Sequence, residues 1–140
     1  MATSAPVSGV AALSLRPLFI AIMFLGSFLL FLIQPLFARL VLPVLGGSPN
    51  VWSTAMLFYQ AALLLGYAYA HALQRLPFRA QAMTHVGVFT AAALTLPIGI
   101  AGLAGADTGD AAALWLLQLL AVSIGPVFVA VAAQAPLMQA

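Results

Sequence analysis

The chain has 140 residues, of which 65% are hydrophobic and 4% charged, with a mean hydropathy of +1.18 and a net charge of +2. No arrangement of so apolar a chain around a single core leaves a water-compatible surface, so the composition excludes an ordinary soluble domain and assigns it to the lipid bilayer. The only ionised side chains are Arg16, Arg39, Arg75, Arg79, Asp107 and Asp110, too few for a nucleic-acid footprint, and the absence of cysteine excludes disulfides and thiolate chemistry.

Residues 1–16 read as a short N-terminal tail, and residues 17–140 as an all-α, polytopic membrane domain. A hydrocarbon core of ~30 Å needs about 20 apolar residues per helix, and four segments meet that length: about 17–38, 51–73, 81–103 and 111–133. The first has no basic residue before Arg16 and is too long for the apolar region of a signal peptide, so it reads as a retained helix with Pro17 in its first turn. Pro35 should kink or end it, and the apolar stretch after Arg39 should then form an interfacial or partly re-entrant segment lying against the bundle until Gly46, Gly47 and Ser48 close the excursion. Ser48 or Asn50 is expected to cap the second helix, with Trp52 as its interfacial anchor.

Short connections between the four segments imply antiparallel neighbours in an up-down bundle. Placing Arg16, Arg75 and Arg79 on the cytoplasmic side, with only Arg39 outside, predicts both termini inside. Asp107 and Asp110 fit a solvated, Gly-rich turn, with Asp110 as the cap of the last helix.

Polar residues inside the spans are the candidate functional positions. Ser53, Gln60, Tyr67, His71 and Gln74 recur at helical spacing and share one stripe, which is expected to face protein, with Gln60 and Gln34 directed inward. Such amides serve interhelical hydrogen bonds or line a path or cavity. Ala62, Gly66 and Ala70 form a small-residue series for close packing on another face, while Gly87, Ala91 and Thr95 give the third span a small face. Ser27, seven residues before Gln34, and Gln118, seven before Gly125, add polar or small positions on the first and fourth spans. His71 and His85 flank the turn between the second and third spans, a placement that would suit a haem or quinone; interfacial hydrogen bonding is the simpler role. No phosphate loop, nucleophile elbow or metal-ligand cluster is present, so no catalytic residue, metal or cofactor is expected.

The stretch from Gln34 to Leu73, with Gln34-Pro35, Arg39, Pro43, Gly46-Gly47-Ser48-Pro49, Val51-Trp52, Thr54, Gln60, Gly66-Tyr67 and Tyr69-Ala70-His71, resembles the start of the membrane region of bacterial spermidine-synthase-like integral membrane proteins. The likeness continues through "RAQAMTH", "LTLPIG" and "APLMQ". It implies a multi-pass protein of the bacterial inner membrane. In typical relatives a cytoplasmic aminopropyltransferase-like domain follows, but this chain ends at Ala140, and no catalytic residue of that domain can be carried over. The expected function is therefore an integral-membrane anchoring or assembly module, not an enzyme in its own right, whose partners are the bilayer and other membrane helices or a protein. The alternative is a transport or binding module for a small polar molecule such as a polyamine, with Gln34, Arg39, Gln60, Tyr67 and His71 lining its interior or mouth. No acidic residue lies inside a span to hold a polyamine.

Overall fold

The computed structural model describes residues 8–96 and 111–139, with side-chain surroundings from residue 15 onward. Among the described residues the secondary structure is entirely helical: α1 (Ser8–Leu45), α2 (Pro49–Leu73), α3 (Phe78–Ala93), α4 (Ala112–Ser123) and α5 (Gly125–Met138).

α1 departs most from expectation. It begins well before Pro17 and runs through Pro35 and Pro43 without a break, for 38 residues or about 57 Å. Each proline removes one backbone bond, from the carbonyls of Phe31 and Arg39 respectively. Unwinding the helix in an apolar medium would strand several more N–H and C=O groups, so the helix persists. The stretch after Arg39 does lie against the bundle, but as helix: Val41 is buried, and Leu42, Val44 and Leu45 are half-buried. The chain reverses just beyond. The Gly46 N–H donates to the Leu42 carbonyl at 2.9 Å, with Gly46 at φ +73°, a conformation that glycine adopts without a Cβ penalty. The Val51 N–H then donates to Ser48 Oγ at 3.4 Å, making Ser48 the cap of α2 with Pro49 in its first turn.

The expected fourth span is two helices. α4 and α5 meet at Ile124 with a bend of 64°. Pro126 has no N–H to donate to Val122, and its ring crowds the preceding turn, which breaks the ladder where the bend occurs. α3 covers 16 residues, about 24 Å, and gives way to a turn at Leu94, short of the predicted third span; residues 97–110, which include the end of that span and both aspartates, lie outside the described residues. Among the described residues, two helices, α1 and α2, are long and apolar enough to cross a membrane, or three segments if α4 and α5 together make one broken span; of the four spans expected from the sequence, the third runs partly outside the described residues.

α5 is the hub. It packs most extensively on α2 and also touches α1, α3 and α4, while α4 adds a second contact with α2. One hydrophobic cluster joins Phe37 and Val41 of α1, Tyr59 and Ala62 of α2, Leu116 and Leu120 of α4, Ile124 at the bend and Phe128 of α5. The Tyr59 and Phe128 rings meet with centroids 5.5 Å apart. Gly26 of α1 is buried as well, but much of the helix surface is open: Phe24, Phe31 and Ile20 are 71%, 73% and 65% exposed, a surface suited to acyl chains.

Candidate functional site: polar positions of an apolar bundle

Helix α2 divides the polar and small residues between opposite faces. Thr54, Tyr59, Ala62, Gly66, Ala70 and Leu73 are buried, so the small-residue series is where α5 approaches. A Cβ placed on Gly66 would lie 2.8 Å from Ala132 Cβ, 3.0 Å from the Val129 carbonyl oxygen and 3.3 Å from the Ala133 nitrogen. Only glycine permits that proximity. At the end of the same contact, Gln74 Nε2 donates to the Pro136 carbonyl at 3.3 Å.

Ser53, Gln60, Tyr67 and His71 do share one stripe, but it faces away from the other described helices: all four are exposed. Gln60 and Gln34 are therefore not brought together. The periodicity fixes which residues share a face; the close approach of α5 to Gly66 leaves the polar face outward. Gln118 and Ser27 are exposed as well, and the third helix buries Ala92 while Gly87 and Ala91 stay open. Arg39 is exposed on α1.

Gln34 faces a cavity of about 280 Å³ between α1, α2 and α4, lined also by Phe37, Val41, Trp52, Tyr59 and Leu116. Its wall is almost wholly apolar, with the Gln34 amide, the Trp52 indole and the Tyr59 hydroxyl as the polar groups that residue chemistry supplies there.

A second cleft, of about 410 Å³, lies between α1, α3 and α5. Gln81, His85 and Gln134 line it together with Ile22, Phe89 and Met138. The His85 ring packs between Tyr69, with centroids 6.1 Å apart, and Phe89 at 6.2 Å. Among the described residues, neither His85 Nδ1 nor the Tyr69 hydroxyl has a hydrogen-bond partner, although both atoms are buried. Gln134 Oε1 sits where a Cβ on Gly26 would come within 3.1 Å, so that glycine makes room for the amide. Sequence reasoning had paired His85 with His71. Two residues along a helix is a turn of about 200°, so Tyr69, which meets His85, and His71 project to opposite sides of α2, and the two histidines are not brought together. Gln81, one turn before His85 on α3, was legible from helical spacing but not singled out, whereas Gln134 joins the cleft only through the packing of α5 beside α3.

No group of three or more histidine, cysteine or acidic side chains with metal-binding proximity occurs among the described residues. No family model, curated protein or solved structure matches the chain.

Proposed function

We propose that the chain is an integral-membrane anchoring and assembly module of the bacterial inner membrane, built to hold itself in the bilayer and to pair with other membrane segments. The observation that carries this reading is the division of the bundle's surface: α1 offers the bilayer a long apolar face, while α5 and α2 interlock at Gly66. The resemblance of residues 34–73 to the membrane region of spermidine-synthase-like proteins supports the same reading. Both termini are assigned to the cytoplasm on the arginine distribution. The test is alkaline extraction of membranes from expressing cells, combined with labelling of a cysteine placed at Arg79 in this cysteine-free chain. Retention in the pellet, and reaction with an impermeant reagent only after the membrane is opened, are expected. Release into the supernatant refutes the anchoring role, and ready labelling from the periplasmic side refutes the orientation.

The cleft at His85 favours a second reading, the binding of a small amphiphile with a neutral, hydrogen-bonding head. Gln81, His85 and Gln134 supply donors and acceptors without a formal charge, and Phe89 and Met138 an apolar wall. A polyamine fits poorly, since none of these residues is acidic. Binding of a fluorescent short-chain quinone or monoacylglycerol that is lost in His85→Leu and Gln134→Leu, with the fold retained, would support this reading; equal binding by both variants would reject it.

A further inference from the structure

The exposed face of α2 carries a stricter pattern than a polar stripe. Ser53, Leu57, Gln60, Leu64, Tyr67 and His71 follow one another at alternating steps of four and three residues, the 3.5-residue period of a helix–helix seam. Every one is exposed; Leu57, Leu64 and Tyr67 keep 60%, 69% and 47% of their surface. At 1.5 Å per residue the seam runs about 27 Å, close to the full hydrocarbon thickness, and Gln60 lies near the middle of α2. The side-chain hydrogen bonds among the described residues all involve other groups: Ser48, Gln74, Thr90 and Thr95. An amide at that depth with nothing but acyl chains beside it leaves its donor and acceptor groups unsatisfied, a costly arrangement for a membrane helix.

We propose that this seam joins two copies of the chain through parallel α2 helices related by a two-fold axis along the membrane normal. The inference rests on the reading of α2 as a membrane span. Copies inserted in the same orientation bring each residue to the depth of its own counterpart, so Gln60 meets Gln60 without any further condition on the partner. A glutamine amide both donates and accepts, and pairs with its symmetry mate through two reciprocal bonds. Ser53, Tyr67 and His71 also donate and accept, and no formal charge on the seam repels its copy. Leu57 and Leu64, directly above and below Gln60, pack against their counterparts and enclose the amides. The face that holds α5 is on the other side of the helix, so pairing leaves the bundle intact. The 3.5-residue period gives a left-handed crossing near 20°.

Single cysteines at Leu57, Leu64 and, off the seam, Leu65 test the geometry in the otherwise cysteine-free chain, purified and reconstituted in liposomes and also oxidised in the membranes of expressing cells. Disulfide dimers at Leu57→Cys and Leu64→Cys, with at least fivefold less at the equally exposed Leu65→Cys, are expected in both settings. Energy transfer between labelled copies in liposomes should show the dimer's dissociation mole fraction rising about tenfold in Gln60→Leu and returning most of the way in Gln60→Asn. Absent or non-periodic cross-linking, or unchanged association in Gln60→Leu, overturns the pairing. So does a seam adduct in cells with the mass of another protein and no self-dimer. If the chain resists alkaline extraction while cross-linking fails, the pairing alone is wrong; if it is extracted, the membrane reading falls with it.

Discussion

Replacing Gly66 by alanine adds one methyl group at the closest approach in the bundle. In an unconstrained helix that change contributes about 1 kcal/mol of stability through helix propensity. Here the new carbon would sit 2.8 Å from Ala132 Cβ, 3.0 Å from the Val129 carbonyl oxygen and 3.3 Å from the Ala133 nitrogen. None of these atoms can rotate aside: two are backbone, and the third is fixed to backbone. α5 must move as a body, and overpacking of this kind costs roughly 1–3 kcal/mol. With three contacts violated the upper part of that range applies, for a net destabilisation of about 1–2 kcal/mol. Gly87→Ala is the internal reference, because nothing lies within 4 Å of its added Cβ and only the propensity gain of roughly 0.5–1 kcal/mol remains. The two alanine variants should therefore differ by about 2–3 kcal/mol, with opposite signs relative to the parent. Unfolding in mixed micelles by titrated SDS, followed by far-ultraviolet circular dichroism, measures the difference. Adding Ala132→Gly should recover part of the loss and show positive coupling, but not all of it, since the Val129 oxygen remains. If Gly66→Ala proves as stable as Gly87→Ala, α5 does not pack on α2 at this point.

The same unfolding assay should show Phe128→Ala, 1% exposed in the central cluster, losing about 3 kcal/mol, at the low end for such truncations because in an apolar surround the cavity is the main cost. Phe31→Ala, 73% exposed, should change stability by less than about 0.5 kcal/mol; equal losses would place Phe128 outside the core. Pro126→Ala restores the missing donor at the α4–α5 bend and should lengthen the distance between spin labels at Leu114 and Met138, whereas an unchanged distance would mean that packing against α2, and not the proline, holds the 64° angle. Hydrogen exchange in nanodiscs should be slow from Leu40 to Leu45 and faster from Gly46 to Ser48; rapid exchange across Leu40 to Leu45 would contradict the continuous helix.

What the sequence determined by itself follows from terms that depend on one residue and its near neighbours along the chain. Composition alone assigned the chain to a bilayer, since no packing can hide that much apolar surface. The Gly46–Pro49 reversal and the Ser48 cap were legible because positive φ, a missing proline donor and a side-chain acceptor are local properties. The grouping of Ser53, Gln60, Tyr67 and His71 on one stripe, and of Ala62, Gly66 and Ala70 on another, followed from helical geometry.

Which of those faces turns inward was decided by tertiary structure. Close packing of α5 on Gly66 uses the small face and leaves the polar one outside, a choice between two faces of equal periodicity that only the partner helix can make. The prolines show the same division. Pro35 and Pro43 did not interrupt α1, whereas α4 and α5 part beside Pro126. The rule that proline lacks a donor is identical in all three places. The outcome differs because the bend at Ile124 lets Leu116, Leu120 and Phe128 converge on one cluster around Tyr59, while a break in α1 would open backbone groups to an apolar surround with no new contact in return. The cleft at His85 divides in the same way: Gln81 and His85 lie one turn apart on α3, a proximity that helical spacing dictates, whereas Gln134 joins them from α5 through helix packing that no local pattern encodes.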